Sequence, residues 1–320
     1  VGAHYDHVGY GSPQNSYGPW GYIHNGADDN ASGVAALLET IEAMQTVDYQ
    51  PRRTILFAFW DGEEKNLLGS RHWVQTRGAD LQQVRLAINV DMVGRMVAGK
   101  LIVGGTRTGV GLRRLCSTRS LPSGVAIDYT WEYKENSDHW PFYERSIPSL
   151  YVHTGTHDDY HRPTDDVERF NIAGIRKAAD YLLTTLIAAA DAADLPSFRP
   201  NARLDSEARR RALEAPLPPS NQPARIGLAW RADPAEPQSV FVTRVSSGSP
   251  AEAAGLKLLD RTYQLDGQRV VGQQELLNAV QEKLTADPPA LALLIERNGR
   301  LMDVEISLQP RDDARDDSQL

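Results

Sequence analysis

The sequence predicts an α/β fold, a three-layer sandwich around a mostly parallel mixed sheet, followed by a small α+β unit. Three observations carry this reading. Apolar runs of strand length alternate with amphipathic helical patterns over residues 1–193. A proline-rich stretch over 194–224 interrupts that alternation. A strand-rich segment over 225–310 then follows, and all eight histidines lie before it, between His4 and His161.

The elements follow in order. The first three residues read as the end of a strand, so the chain is expected to start inside a sheet, with strands missing ahead of it and an incomplete sheet edge. Val34, Leu37, Leu38, Ile41 and Met44 share one face of a helix. Residues 54–60, a continuous apolar run, are expected as a strand buried on both faces. Residues 86–90 and 148–152 are shorter runs of the same kind. Ile175, Ala178, Leu182, Leu183 and Leu186 mark a helix over 172–190. This is the longest apolar stretch, and Thr184, Thr185, Asp180 and Asp191 interrupt it, so it reads as a core helix and not as a membrane span. Residues 194–224 read as a linker with one short helix over 205–214, where Arg209, Arg210 and Arg211 form a solvated face. Residues 311–320 read as a disordered acidic tail.

Composition removes several function classes. A net charge of −8 leaves no basic excess to neutralise phosphates, which argues against nucleic acid as a partner. The one cysteine, Cys116, excludes an internal disulfide framework and a multi-cysteine zinc site, and reads as a small buried hydrophobe.

The chemistry lies at the strand ends. His4 and Asp6 follow the first strand. Glu63 and Glu64 follow 54–60 across Asp61-Gly62, and Asp91 follows 86–90 at once. His153, His157 and His161 follow 148–152. In open α/β sheets ligands bind outside the carboxyl ends of the strands, so four strands deliver imidazoles or acids to one edge. Asp29, in the loop Gly26-Ala27-Asp28-Asp29-Asn30-Ala31-Ser32-Gly33, adds a fifth contribution, although Asp29 or Asn30 could instead cap the following helix. Converging carboxylates repel one another, and two divalent cations would resolve that conflict. The mixed imidazole and carboxylate donors suit Zn²⁺ better than Mg²⁺ or Ca²⁺, with manganese or cobalt as substitutes.

Five motifs in order make the pattern specific: His4-Tyr5-Asp6, the Gly26 to Gly33 loop, Asp61-Gly62-Glu63-Glu64 with Leu68-Gly69-Ser70 behind it, Asn89-Val90-Asp91-Met92, and His161-Arg162-Pro163-Thr164-Asp165. Together they resemble the signature of the M28 family of co-catalytic zinc aminopeptidases, over roughly residues 1–190. The resemblance implies a zinc exopeptidase fold and two Zn²⁺ per chain. It implies Asp29 as the carboxylate shared by both metals, with Glu64 and His161 completing one site and His4 and Asp91 the other. It further implies Glu63 as general base, Asp6 as the group orienting His4, and a cis peptide bond after Asp29. The substrates it implies are peptides with a free N-terminus, whose α-amino group one zinc receives. The expected location is periplasmic or secreted.

Other residues read as peripheral. His7 is expected at the second shell of the site or on the surface, and His24, His153 and His157 in loops or on its rim. Ser137-Asp138-His139 resembles a family segment near the active site, and His72 reads as a structural residue on a helix. A Ser/His/Asp triad built on Ser137 or Ser32 lacks any Gly-x-Ser-x-Gly elbow.

Residues 225–310 resemble a PDZ domain of the bacterial protease-associated type. The resemblance rests on Ile226-Gly227-Leu228-Ala229, on Val240-Phe241-Val242, on the run from Ser249 to Leu256, and on Asp260 to Gly267. It implies a groove beside a helix over 274–284 that takes an extended peptide or a protein C-terminus as an added strand. Two other readings stand beside the aminopeptidase. One is an aminoacyltransferase resembling glutaminyl cyclase, with one zinc; the other is a non-catalytic, PDZ-bearing interaction protein.

Overall fold

The computed structural model describes residues 1–118, 125–218, 225–284 and 290–308. The expected acidic tail lies outside the described residues, as does 219–224 of the expected linker. The chain divides into two compact units, the first comprising Val1–Arg210 with Asn298–Arg300 and the second Arg211–Arg297 with the residues from Leu301 on.

In the first unit the strands are β1 (Gly2–His4), β2 (Ala58–Trp60), β3 (Ala87–Val90), β4 (Lys100–Gly104), β5 (Ala126–Tyr129) and β6 (Ser149–His153). The helices are α1 (Gly33–Thr46), α2 (Leu68–Thr76), α3 (Leu112–Cys116), α4 (Trp140–Glu144) and α5 (Ile172–Asp191). The strands form one mixed sheet in the order β2-β1-β3-β6-β4-β5. Neighbours run parallel except β4 and β6, which are antiparallel. Buried Leu37 of α1 and Tyr181, Leu182 and Leu186 of α5 pack with Ile88, Val90, Leu101 and Leu150 of the sheet. A second cluster sets Trp60 and Ala87 against Val74 of α2 and Phe142 of α4. Helices thus cover both faces of the sheet, which gives the three-layer α/β architecture expected from the sequence.

One strand departs from expectation. Of residues 54–60 only Ala58–Trp60 join the ladder, as the last strand of this sheet among the described residues. Leu56 is 52% exposed and Phe59 38%. The expected linker is also not free throughout. Phe198 bridges to Gly109, Arg199 N donates to Thr108 O at 2.7 Å, and Arg107 pairs with Asp205 at 2.9 Å.

The helix predicted in the linker is α6 (Glu207–Glu214), with Arg209 and Arg211 exposed. The second unit contains β7 (Leu228–Ala232), β8 (Val240–Val245), α7 (Pro250–Ala253), β9 (Arg261–Leu265), β10 (Gln268–Arg269), α8 (Gln273–Lys283), β11 (Ala290–Arg297) and β12 (Arg300–Ser307). Its sheet runs β12-β11-β9-β8-β7, with antiparallel pairs β11–β9, β9–β8 and β8–β7 and with β10 beside β9. Trp230, Val242, Leu265, Leu276, Val280, Leu293 and Ile295 fill its core. This is the small α+β unit expected, with β7 as an edge strand and α8 packed on it. Among the described residues no helix is long and apolar enough to cross a membrane.

Candidate metal centre

β1, β2, β3 and β6 run parallel, so their carboxyl ends open on one edge of the sheet. His4 is the last residue of β1, and Asp91 directly follows β3. After β2 the chain turns at Gly62 into the short helix Glu63–Lys65. The loop after β6 returns His161 to the same edge.

Asp29 arrives from the loop before α1, which is pinned from several sides. Asp165 Oδ2 accepts the backbone N–H groups of Asp28 at 2.9 Å and Asp29 at 3.0 Å. Asn30 Nδ2 donates to Val90 O at 3.0 Å, while its Oδ1 accepts Gly33 N at 3.0 Å and Met92 N at 3.1 Å. One amide side chain therefore ties the loop carrying Asp29 to the strand end carrying Asp91. Gly33 must be small here, because a Cβ would lie 2.2 Å from Asn30 Oδ1. The Asp29–Asn30 peptide bond is cis.

The five side chains singled out as ligands meet at this edge. His4 Nε2 lies 3.2 Å from Asp29 Oδ1 and 3.3 Å from Asp91 Oδ1. His161 Nε2 lies 3.0 Å from Asp29 Oδ2 and 3.1 Å from Glu64 Oε2. Asp29 thus turns one oxygen to each of two histidine–acid pairs. His4, Asp29 and Asp91 are 1%, 3% and 5% exposed, so this acid cluster is held out of water. The ligand atoms of His4, Asp29 and Asp91 lie within 4.8 Å of one another, and so do those of His7, Asp29 and Glu64. That donor set, imidazole with carboxylate, suits zinc.

Charge explains the titration behaviour. Burial works to depress both histidines, but their acidic neighbours prevail. His4 is held well above its ordinary value by the Asp91 charge and by hydrogen bonds to Asp29, Asp6 and Asp91. Hydrogen bonds to Asp29 and Glu64 lift His161 to about 10. Asp29 in turn falls below the usual carboxylate range, because hydrogen bonds from His161 and His4 outweigh its burial. Burial pushes Glu63 up to about 9, opposed by His4 and reinforced by the charges of Asp91, Asp138 and Glu64. Asp138 is pushed up to about 7, first by burial, against its hydrogen bond from Ser70.

The remaining residues singled out in the sequence are placed around this cluster. Asp6 contacts both His4 and the two glutamates. Its carboxylate accepts Glu63 N at 3.0 Å and Glu64 N at 3.4 Å, whereas His4 Nδ1 bonds the Asp6 backbone carbonyl at 3.1 Å and stands 3.6 Å from the carboxylate. His7 lies inside the cluster, with Nδ1 2.9 Å from Glu64 Oε1. His24 is buried, bonded to Ser16 Oγ at 2.6 Å. His139 is fully buried and stacks on Tyr151 at 4.7 Å, and His153 stacks on the same ring at 4.4 Å. His157 Nε2 lies 3.1 Å from Asp28 Oδ2, and His72 is exposed on α2. Ser137 Oγ donates to Asp91 Oδ2 at 2.7 Å and Ser32 Oγ to Asp28 O at 2.7 Å, so neither hydroxyl donates to a histidine. The sequence had given no role to Asp165 and only that of a helix cap to Asn30, whose Oδ1 does accept Gly33 N; their places inside the motifs were the available signal.

Residues 1–186 match the family described as Peptidase family M28. The chain is 31% identical over 124 residues to leupeptin-inactivating enzyme 1 of Streptomyces exfoliatus, covering 38% of this chain and 28% of that protein. It is 33% identical over 133 residues to an aminopeptidase of Pseudomonas aeruginosa, covering 41% of this chain and 21% of that one. The chain thus spans under a third of the length of these relatives. In fold it resembles a zinc aminopeptidase from Bacillus subtilis, with a TM-score of 0.50 at 24% identity, covering 60% of this chain and 45% of the other.

Proposed function

The chain belongs to peptidase family M28, and from that premise we propose that it is a di-zinc aminopeptidase. It would hydrolyse the first peptide bond of peptides with a free N-terminus. The observation that carries the proposal is Asp29, whose two oxygens face two separate histidine–acid pairs, His4 with Asp91 and His161 with Glu64.

Two zinc ions held there would supply Lewis acidity toward the scissile carbonyl and a nucleophile at neutral pH. The chain's own residues do the rest. Glu63 stands beside a ligand without being one, and its backbone is fixed by Asp6. Its carboxylate takes the proton of the attacking water and passes it to the leaving amine. Neutralising Asp91 and Glu64 removes part of what raises Glu63, which moves it toward the range where it can both accept and return a proton. A metal held by these residues would also offer a place for the neutral α-amino group of a peptide's first residue, which favours exopeptidase action.

The second unit, in this reading, is a PDZ-like domain that tethers substrate or partner by adding a peptide strand to β7. A periplasmic or secreted location belongs to the same proposal, and cell fractionation tests it. The central test is hydrolysis of aminoacyl p-nitroanilides by the full-length protein. Turnover should be lost with chelator and restored by zinc. No turnover across a broad aminoacyl panel with zinc supplied would overturn the proposal.

A further inference from the structure

We propose that His7 is a positioning residue of the metal centre: its Nδ1–H holds Glu64 Oε1 and thereby leaves Oε2 as the oxygen offered to the cation shared with Asp29 and His161. The inference rests on the di-zinc reading and adds to it a residue outside the five ligands.

The geometry distinguishes the two oxygens of Glu64. Oε1 lies 2.9 Å from His7 Nδ1, and Oε2 lies 3.1 Å from His161 Nε2. A carboxylate oxygen only accepts, so the proton of the first contact sits on His7 Nδ1. From Asp29 Oδ2 the same nitrogen is 3.9 Å away, too far for a hydrogen bond. His7 therefore serves Glu64 and not the shared carboxylate. Its side chain is 10% exposed and that of Glu64 7%, so water does not readily replace the contact.

The ring is also held in place. It meets the His161 ring edge to face, with centroids 5.5 Å apart at 86°. It also lies against Gly26, where a Cβ would approach His7 Cγ to 2.6 Å. Gly26 has φ of 60°, a conformation glycine adopts without cost, and it opens the loop that carries Asp29. The loop of one ligand thus packs the residue that orients another. A hydrogen bond to the free oxygen of a ligating carboxylate fixes which oxygen binds, and losing such a partner typically costs about 10–100-fold in metal affinity.

The test is a zinc titration of the full-length protein and three variants, followed by calorimetry, with the cobalt-substituted visible spectrum as a second readout. His7→Ala should keep one zinc at wild-type affinity and bind the other about 10–100-fold more weakly. His7→Asn, whose Nδ2 overlays the imidazole Nδ1, should restore the second affinity. His7→Gln, whose amide overlays Nε2, should not. Far-UV dichroism and Tm of the metal-free variants check that each is folded. The proposal is overturned if wild type takes two zinc ions and His7→Ala matches it at both. It is also overturned if His7→Asn fails to rescue and the cobalt spectrum loses the signature of an imidazole ligand, because His7 would then bind the metal itself. A wild-type protein that takes up no zinc overturns the di-zinc reading together with this one.

Discussion

Asp165 Oδ2 accepts the backbone N–H of Asp29 at 3.0 Å, so a carboxylate four residues past His161 sets the position of the acid shared by both histidine pairs. Its other oxygen faces Arg95 at 3.3 Å, and Asp165 is fully buried. Asp165→Ala strands the Asp28 and Asp29 amides without an acceptor. The expected loss of stability is about 2–4 kcal/mol. Zinc binding should weaken as well, because the Asp29 loop loses its anchor. Urea denaturation and zinc titration read the two effects; a variant of wild-type stability would show that water replaces the carboxylate.

Glu63→Gln should separate chemistry from metal binding. The residue is in neither group of converging ligand atoms, yet it adjoins Glu64. An amide in its place cannot take a proton, so kcat on an aminoacyl p-nitroanilide should fall by roughly 10²–10⁴-fold. Zinc content, measured by atomic absorption, should stay at two per chain. Loss of zinc instead would mean that Glu63 is itself a ligand.

The metal-free protein should lose stability as pH rises. His161 is raised from 6.5 to about 10 and His4 well above 6.5, so the stability they contribute is full below 6.5 and fades as pH climbs through their folded values. Glu63 acts in the same direction, because its pKa rises from 4.5 to about 9 on folding. Asp29 is depressed, so its contribution is lost only at acid pH. Tm of chelated protein should therefore fall between pH 6.5 and 10. Zinc requires neutral imidazoles and ionised acids, so its uptake near neutral pH should release about two protons. Calorimetry in buffers of different ionisation enthalpy counts them, and no release would mean that His4 and His161 are neutral before metal arrives.

Much of the site was legible because strand ends are legible. A continuous apolar run followed by His, Asp or Glu places that side chain at the sheet edge, and this located His4, Glu64 and Asp91. His7 was not legible in the same way. Its contact with Glu64 spans 57 residues and depends on the loop of Gly26 folding against its ring. The family resemblance implied Asp6 as the group orienting His4; its further contact with the amides of Glu63 and Glu64 arises because β1 and β2 run side by side.

In the second unit, Gln273 closes part of the edge that a bound peptide would use. Its Oε1 accepts Ala232 N at 3.1 Å, and its Nε2 donates to Trp230 O at 3.0 Å. Both backbone groups belong to β7, the edge strand, and an added strand would pair with such groups. A peptide reaching that far along β7 must displace the Gln273 amide and give up two hydrogen bonds. At about 0.5–1.5 kcal/mol each, this amounts to roughly tenfold or more in affinity. Gln273→Ala should therefore bind an extended peptide with a free C-terminus roughly tenfold more tightly than wild type, while a two-residue peptide confined to the Ile226–Leu228 end gains little. Fluorescence anisotropy with a labelled peptide series measures both. If neither protein binds any member of the series, the second unit is a packing module and the tethering role falls.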